Sequence, residues 1–211
     1  MVWKISDRQS VYYVDVTDGR SERGKATRER LVAAGRELFG ERGYDAASID
    51  AILERAGVKR GALYHHFDSK QALFDAVLDR VVSDVAQAVA EAARAQADPV
   101  ESLRAGCAAW LRMALDPAVQ RIALLDPPAV VGWTRWRELD EQHILGGVRR
   151  NLQLIAAGAR LPAGDVDLLA HMVLASVNEA ALLIARADDP REALVRGQAA
   201  VDTLLGGLVR D

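Results

Sequence analysis

The stretch S-I-D-A-I-L-E-R-A-G-V-K-R-G-A-L-Y-H-H-F-D-S-K, residues Ser48 to Lys70, decides the fold. Ile49, Ile52, Leu53 and Ala56 recur at i, i+3, i+4 and i+7, which aligns them along one helix face. Ser48 stands just before them, where its hydroxyl can accept from a free backbone N–H of the first turn. Gly57 ends this helix, because glycine takes the left-handed conformation of a helix C-terminus without a Cβ clash; Val58 then turns toward the core. In the helix that follows, Leu63 and Phe67 at i and i+4 point inward, leaving Arg60, Gly61, Ala62, Tyr64 and His65 in leading or outward positions. Ser69 and Lys70 open a third helix. Short helices joined in this way by a tight turn form a helix-turn-helix.

Upstream, T-R-E-R-L-V-A-A-G-R-E-L-F-G-E-R-G-Y (Thr27 to Tyr44) carries Leu31, Ala34, Leu38 and Phe39 as a helix-period stripe ended by Gly43. This stretch, together with A-G-V-x-x-G-x-L-Y-x-H-F-x-S-K at Ala56 to Lys70, closely resembles the signature of the tetracycline-repressor (TetR) family of bacterial regulators. The resemblance covers roughly residues 25–75. It implies an all-α protein with an N-terminal three-helix DNA-binding domain and a larger C-terminal helical bundle for ligand binding and dimerisation. It also implies a homodimer on a palindromic double-stranded operator, with repression relieved by a small-molecule effector as the common mode. One departure is visible: where the family usually opens its recognition helix with a small hydroxyl residue, this chain has Lys59, which cannot accept from a backbone N–H. Lys59 reads as an added phosphate contact.

Candidate DNA-binding residues are Ser48, Lys59, Arg60, Gly61, Ala62, Tyr64, His65, His66 and Lys70. In a helix-turn-helix the start of the second helix meets base edges in the major groove, and the Arg60 guanidinium can bond guanine O6 and N7 together. Gly61 and Ala62 allow close backbone approach, and Ala62 suits a thymine methyl. Tyr64 and His66 match positions that hold the DNA backbone in the family. Lys70 sits in the first turn of its helix, where a cation opposes the dipole, so folding alone offers no reason for it; a phosphate at that helix end removes the conflict. Ser48 serves equally as a plain cap. Adjacent histidines on a helix point about 100° apart, so His65 and His66 are not expected to share a metal ion.

The 211 residues carry a formal net charge of −3, which does not by itself suggest nucleic acid. Exposed charges farther apart than about 8 Å are screened at physiological salt, so a small basic face can work on an acidic protein. Half the residues are hydrophobic, enough for a substantial core. The single cysteine, Cys107, excludes an intrachain disulfide framework and suits a reducing compartment. Neither a signal peptide nor an uncharged stretch near 18 residues is evident, so a cytoplasmic protein without a membrane partner is expected.

Three regions follow. Residues 1–24 read as a flexible extension, with an alternating island Val11, Tyr12, Tyr13, Val14, Val16 able to pair as a strand; Arg20, Arg23, Lys25 and Arg28 are either a minor-groove arm or an ordinary solvated leader. Residues 25–75 form the DNA-binding unit. Residues 76–211 are helical segments punctuated by prolines, preceded by a long helix from Ser69 that carries Leu73, Phe74, Val77, Leu78, Val81, Val85 and Val89 on one face. Candidate ligand-binding residues there are Trp110, Met113, Trp133, Trp136, His143, His171 and Asn178; the same residues fit ordinary core packing, and His171 and Asn178 also fit a buried polar contact or an interface. Trp133 and Trp136 at i and i+3 share a helix face that suits a cavity wall. The last two helical segments bear apolar surface broader than one stripe, as expected of helices that join both the core and a second subunit.

No nucleophile, base and orienter stand at a recognisable motif, and no cofactor is expected, so the chain does not read as an enzyme. A helical-bundle enzyme, an activator of the same fold and a nonspecific architectural DNA protein remain as alternatives; the acidic total charge speaks against the last.

Overall fold

The computed structural model describes residues 16–162 and 164–209, and among them every regular element is a helix. The head is built from α1 (Val16–Ala46), α2 (Ile49–Ala56), α3 (Arg60–His66) and the first turns of α4 (Lys70–Arg94). α1 breaks at Gly43, whose φ of 78° lies in the region open to glycine, and the break redirects the chain toward α2. Ser48 Oγ accepts from Ala51 N–H at 3.2 Å, and Ser69 Oγ from Ala72 N–H at 3.0 Å, so two helices start on hydroxyl caps. Gly57 adopts the left-handed conformation and its N–H closes the last turn of α2.

Leu31, Leu38, Phe39, Ile52, Leu63, Leu73 and Phe74 are fully buried and form the head core. Phe39, Tyr44 and Phe74 pack ring against ring, with centroids 5.2 to 5.8 Å apart. Such aromatic pairs add about 0.5–1.5 kcal/mol each beyond burial. Contrary to the expectation of a flexible lead-in, Asp18 to Gly24 are turns of α1, and Val16 begins that helix rather than a strand. Val11 to Val14 lie outside the described residues.

The body contains α5 (Pro99–Met113), α6 (Pro117–Val119) continued by a π-helical stretch Gln120–Leu125, and α7 (Pro127–Val130). Then come α8 (Trp133–Asp140), a second π-helical stretch Glu141–Leu145, α9 (Gly146–Ala157), α10 (Val166–Arg186) and α11 (Pro190–Leu208). Pro99, Pro117, Pro127 and Pro190 start helices rather than end them. Asp98, Asp116 and Asp189 each precede a proline at the first helical position and accept from backbone N–H groups of that first turn. Asp126 precedes Pro127 in the same way, but its carboxylate accepts from Tyr44 N–H of α1 at 2.8 Å.

Head and body are therefore joined in two places. α4 runs unbroken from the head core into the bundle, where Val77, Leu78, Val81 and Val85 are buried. In addition, α1 lies against α6 so closely that a Cβ on Gly40 would come within 2.7 Å of the Ala118 Cβ. Arg121 donates to the Glu41 carbonyl and Gln71 to the Val130 carbonyl, each at 2.6 Å.

α10 is long and apolar enough to cross a membrane by length and composition, yet it packs against α5, α9 and α11 in the bundle. Its inner side buries Ala170, Val173, Leu174, Val177, Ala181 and Ile184. Its outer side leaves Leu168, Met172 and Leu183 more than half exposed, and on α11 Val195 and Leu204 are exposed as well.

Candidate nucleic-acid interface and bundle cavity

The exposed surface of α3 and its flanks carries Ser48, Lys59, Arg60, Gly61, Tyr64 and His65, while Ala62, His66 and Lys70 are half-buried. Lys59 occupies the cap position of α3 without a side-chain cap bond, which leaves its ammonium outside the fold. A Cβ on Gly61 would meet nothing within 4 Å, so the start of α3 is open to close approach. Arg60 does not stand free: its guanidinium pairs with the Asp50 carboxylate on α2, and both side chains are largely exposed. An exposed pair of this kind is weak, so the guanidinium at the leading edge of α3 can exchange Asp50 for another partner. Burial, and after it the like charges of His65 and Arg28, hold the His66 imidazole below the ordinary histidine range. Arg28 itself lies over the Phe67 ring at 5.2 Å. Arg30 donates to the Ala56 and Gly57 carbonyls at 2.5 and 2.9 Å, tying α1 to the exposed end of α2.

Lys70 has a structural partner that the sequence does not disclose. Its ammonium donates to the Asp45 carbonyl at 3.3 Å and lies 4.3 Å from the centre of the Tyr44 ring. Burial lowers its pKa, with Asp45 acting in the opposite sense. The carbonyl end of α1 and the ring quadrupole offset the unfavourable dipole of α4, so folding does supply a reason for this cation.

In the body, α4, α5, α9, α10 and the second π-helical stretch line a half-open cavity of about 100 Å³. Ala86, Val89, Ala90 and Ala93 form its α4 wall. Polar atoms are few: Ser102, His143 and Asn151 stand among alanine, valine, leucine and glycine, with Trp110 at one end. The Cys107 thiol also faces it, and burial pushes its pKa up to about 12, so it remains a neutral apolar wall. His143 Nε2 lies 2.9 Å from Asp79 Oδ1 on α4, and Arg135 of α8 grips Asp75 of α4 through two N–H···O contacts of 2.8 and 3.2 Å.

Behind Trp110 lies a much smaller void, about 10 Å³, bordered by Trp136, Asp140 and Asn178. The three polar groups around it form a chain. Trp110 Nε1 donates to Asn178 Oδ1 at 2.9 Å, and Asn178 Nδ2 donates to Asp140 Oδ2 at 2.6 Å. Asp140 is 7% exposed, and burial raises its pKa to about 6 against the opposing pull of Arg137 and the Asn178 bond. Trp136 donates separately to the Ala123 carbonyl at 2.9 Å.

Comparison with known proteins fits this architecture at both ends. Residues 31–77 match the family described as bacterial regulatory proteins, tetR family, and residues 100–208, just over half of the chain, match the tetracyclin repressor-like C-terminal domain. The chain belongs to the TetR family. A solved TetR-family transcriptional regulator from Pectobacterium atrosepticum is 33% identical with a TM-score of 0.80, over 90% of this chain and 97% of that one. The HTH-type transcriptional activator FasR of Mycolicibacterium smegmatis is 43% identical over 83 residues, 39% of this chain and 38% of that relative, well under half of its length. RolR, solved in complex with its ligand resorcinol, shares the fold at a TM-score of 0.67 and 21% identity, over 91% of this chain and 99% of that one. The chain is accordingly a DNA-binding transcription regulator of the TetR fold.

Of the ligand residues expected from sequence, Trp110 and His143 line the cavity beside α4, and Trp110, Trp136 and Asn178 the small void behind Trp110. Met113 and His171 are half-buried and line neither, and Trp133 is 63% exposed, its ring edge-on to Trp136 at 5.1 Å. The two tryptophans thus share a helix without sharing a cavity wall. Sequence reading missed Asp140 and the small residues Ala86, Ala90, Gly106 and Gly147 that leave room for the cavity. A buried acid in the polar run E-L-D-E carries no local signal; the small residues follow helix spacing, but alanine is also ordinary helix filler.

Proposed function

We propose that this regulator is a homodimeric repressor that holds a palindromic operator and releases it when a small molecule occupies the bundle cavity. The observation that carries the reading is the shared helix: α4 contributes Leu73 and Phe74 to the head core and Ala86, Val89, Ala90 and Ala93 to the cavity wall. A ligand that favours one setting of α4 therefore favours one spacing of the two heads. To move the population from about 1:99 to 99:1, it must prefer that setting by roughly 5.5 kcal/mol.

Residues 25–75 act as the reading head and residues 76–211 as the sensing and dimerising body, in the cytoplasm. The exposed row Leu168, Met172, Leu183, Val195 and Leu204 on α10 and α11 supports a four-helix interface, since so much apolar surface is uncommon on a monomer. Twofold symmetry then sets half-sites about one helical turn, or a multiple of it, apart. Arg60 reads a guanine, Tyr64, His65 and His66 with Ser48 and Lys59 hold phosphates, and Lys70 adds charge from its seat on Tyr44.

Selection of bound duplexes from random DNA tests this reading. A palindrome is expected; enrichment of no sequence, or of a single unpaired half-site, would overturn it. Activation by the same fold is the second reading, favoured by the match to FasR. A reporter behind the selected operator rises on deletion of a repressor and falls on deletion of an activator.

A further inference from the structure

Among the described residues no lysine or arginine lines the cavity beside α4, and the titratable side chains on its wall are His143 and the buried Cys107 thiol. Two acids stand behind the wall: Asp79, which pairs with His143, and Asp140 behind Trp110, which has Arg137 3.9 Å away. A carboxylate or phosphate placed here would lose much of its water without meeting a lysine or arginine on the wall, which favours neutral ligands over anionic ones. The volume, about 100 Å³, is below the ~150 Å³ of an enclosed apolar cavity that takes benzene, so a single ring is the largest body it suits, and it fits because the cavity is open on one side.

His143 sets the polarity of the ligand. Its Nε2 faces the Asp79 carboxylate, an acceptor, at 2.9 Å. The bond requires the proton on Nε2, and in the neutral imidazole this leaves Nδ1 as an acceptor. A ligand meeting neutral His143 at Nδ1 must therefore bring a donor. We infer that the cavity takes a neutral molecule of about one ring carrying a hydroxyl, which donates to His143 Nδ1 while the ring lies among Val89, Leu103, Trp110 and Val173. The inference rests on the reading of this cavity as the effector site. It places ligand recognition on the same side chain that restrains α4 through Asp79, so that a filled cavity acts on the helix shared with the head.

Calorimetry on the full-length dimer with phenol, toluene and benzoate tests it, since the three share a ring and differ in the group attached. Phenol is expected to bind about 10-fold more tightly than toluene, as one buried hydrogen bond allows, and benzoate not at all. His143→Phe keeps a ring in place and should remove the preference for phenol. If that variant does not fold, the ¹⁵N spectrum of the wild-type imidazoles gives the same answer, because a bare Nδ1 moves upfield when it accepts a hydrogen bond. Gly147→Leu, at an exposed rim position where a Cβ meets nothing within 4 Å, has room for a side chain that covers the cavity mouth and should abolish phenol binding. Toluene equal to phenol, or benzoate bound most tightly, with binding still lost in Gly147→Leu, would overturn the ligand class and leave the effector site standing. Binding indifferent to Gly147→Leu, or no binding by any of the three, would overturn both.

Discussion

Asp140→Asn removes the charge of the buried carboxylate while keeping its shape and an oxygen for the Asn178 amide. In the folded protein burial raises the Asp140 pKa to about 6, whereas the unfolded chain has an ordinary aspartate. Between those two values the folded state binds more protons than the unfolded one, so stability falls as pH rises through the window and is lowest above the folded value. A displacement of about two pH units amounts to about 3 kcal/mol in all, of which about 2 kcal/mol lies between pH 4.5 and 7.5. Asparagine carries no such penalty. Urea unfolding of both proteins at pH 4.5, 5.5, 6.5 and 7.5 isolates the effect, because every other titrating group is common to the two and cancels. Protein concentration is held fixed, since dimerisation contributes to the midpoint. The variant should gain about 2 kcal/mol on wild type across the series. A difference that stays constant with pH, or one that shrinks toward pH 7.5, would refute the assignment of a desolvated carboxylate to this site.

Asn178→Leu strands the Trp110 N–H and the Asp140 carboxylate together. The expected loss is about 3 kcal/mol, seen calorimetrically as a Tm about 6–12 °C lower for a chain of this size; an unchanged Tm would mean that the buried chain of hydrogen bonds contributes nothing. Gly40→Val forces α1 away from the Ala118 backbone and should cost about 1–3 kcal/mol. Hydrogen exchange should quicken at α1 and α6 and remain as before in α10. Arg30→Ala removes both donors from the carbonyl end of α2 and is expected to loosen that end by about 1 kcal/mol. Because Arg30 holds the motif rather than reading it, operator and scrambled DNA should weaken by similar factors in an anisotropy titration.

The head was legible in the sequence because each of its elements depends on neighbours a few residues away. Ser48, Gly57 and Ser69 mark helix ends by their own chemistry, and Leu31, Leu38, Phe39, Leu63 and Phe67 fall inward by helix period alone. The joint between head and body was not legible. Asp126 looks like another Asp-Pro helix start, and only the tertiary fold brings it to Tyr44 N–H, 82 residues away. Lys70 illustrates the same limit: the local rule on helix dipoles holds, but a carbonyl and a ring from α1 override it. In the body, the aromatic residues drew attention because they are rare, yet the cavity exists where side chains are small. Trp136 turns inward and Trp133 outward, a distinction that a spacing of three residues does not make. On α10 and α11 the apolar breadth was visible beforehand, but its division into a buried side at Val173 and Val177 and an exposed side at Leu168 and Met172 required the packing of α5 and α9.

The most direct measurement of the account is a fluorescence-anisotropy comparison of the selected palindrome with a scrambled duplex, at one salt concentration, for wild type and Arg60→Ala. Wild type should hold the palindrome at least about 10³-fold more tightly. Arg60→Ala should lose about 10- to 100-fold of that ratio per guanine read, with binding to scrambled DNA changed only a few-fold. Equal affinity of wild type for both duplexes, or a ratio untouched by Arg60→Ala, would contradict the claim that α3 reads sequence through its leading arginine.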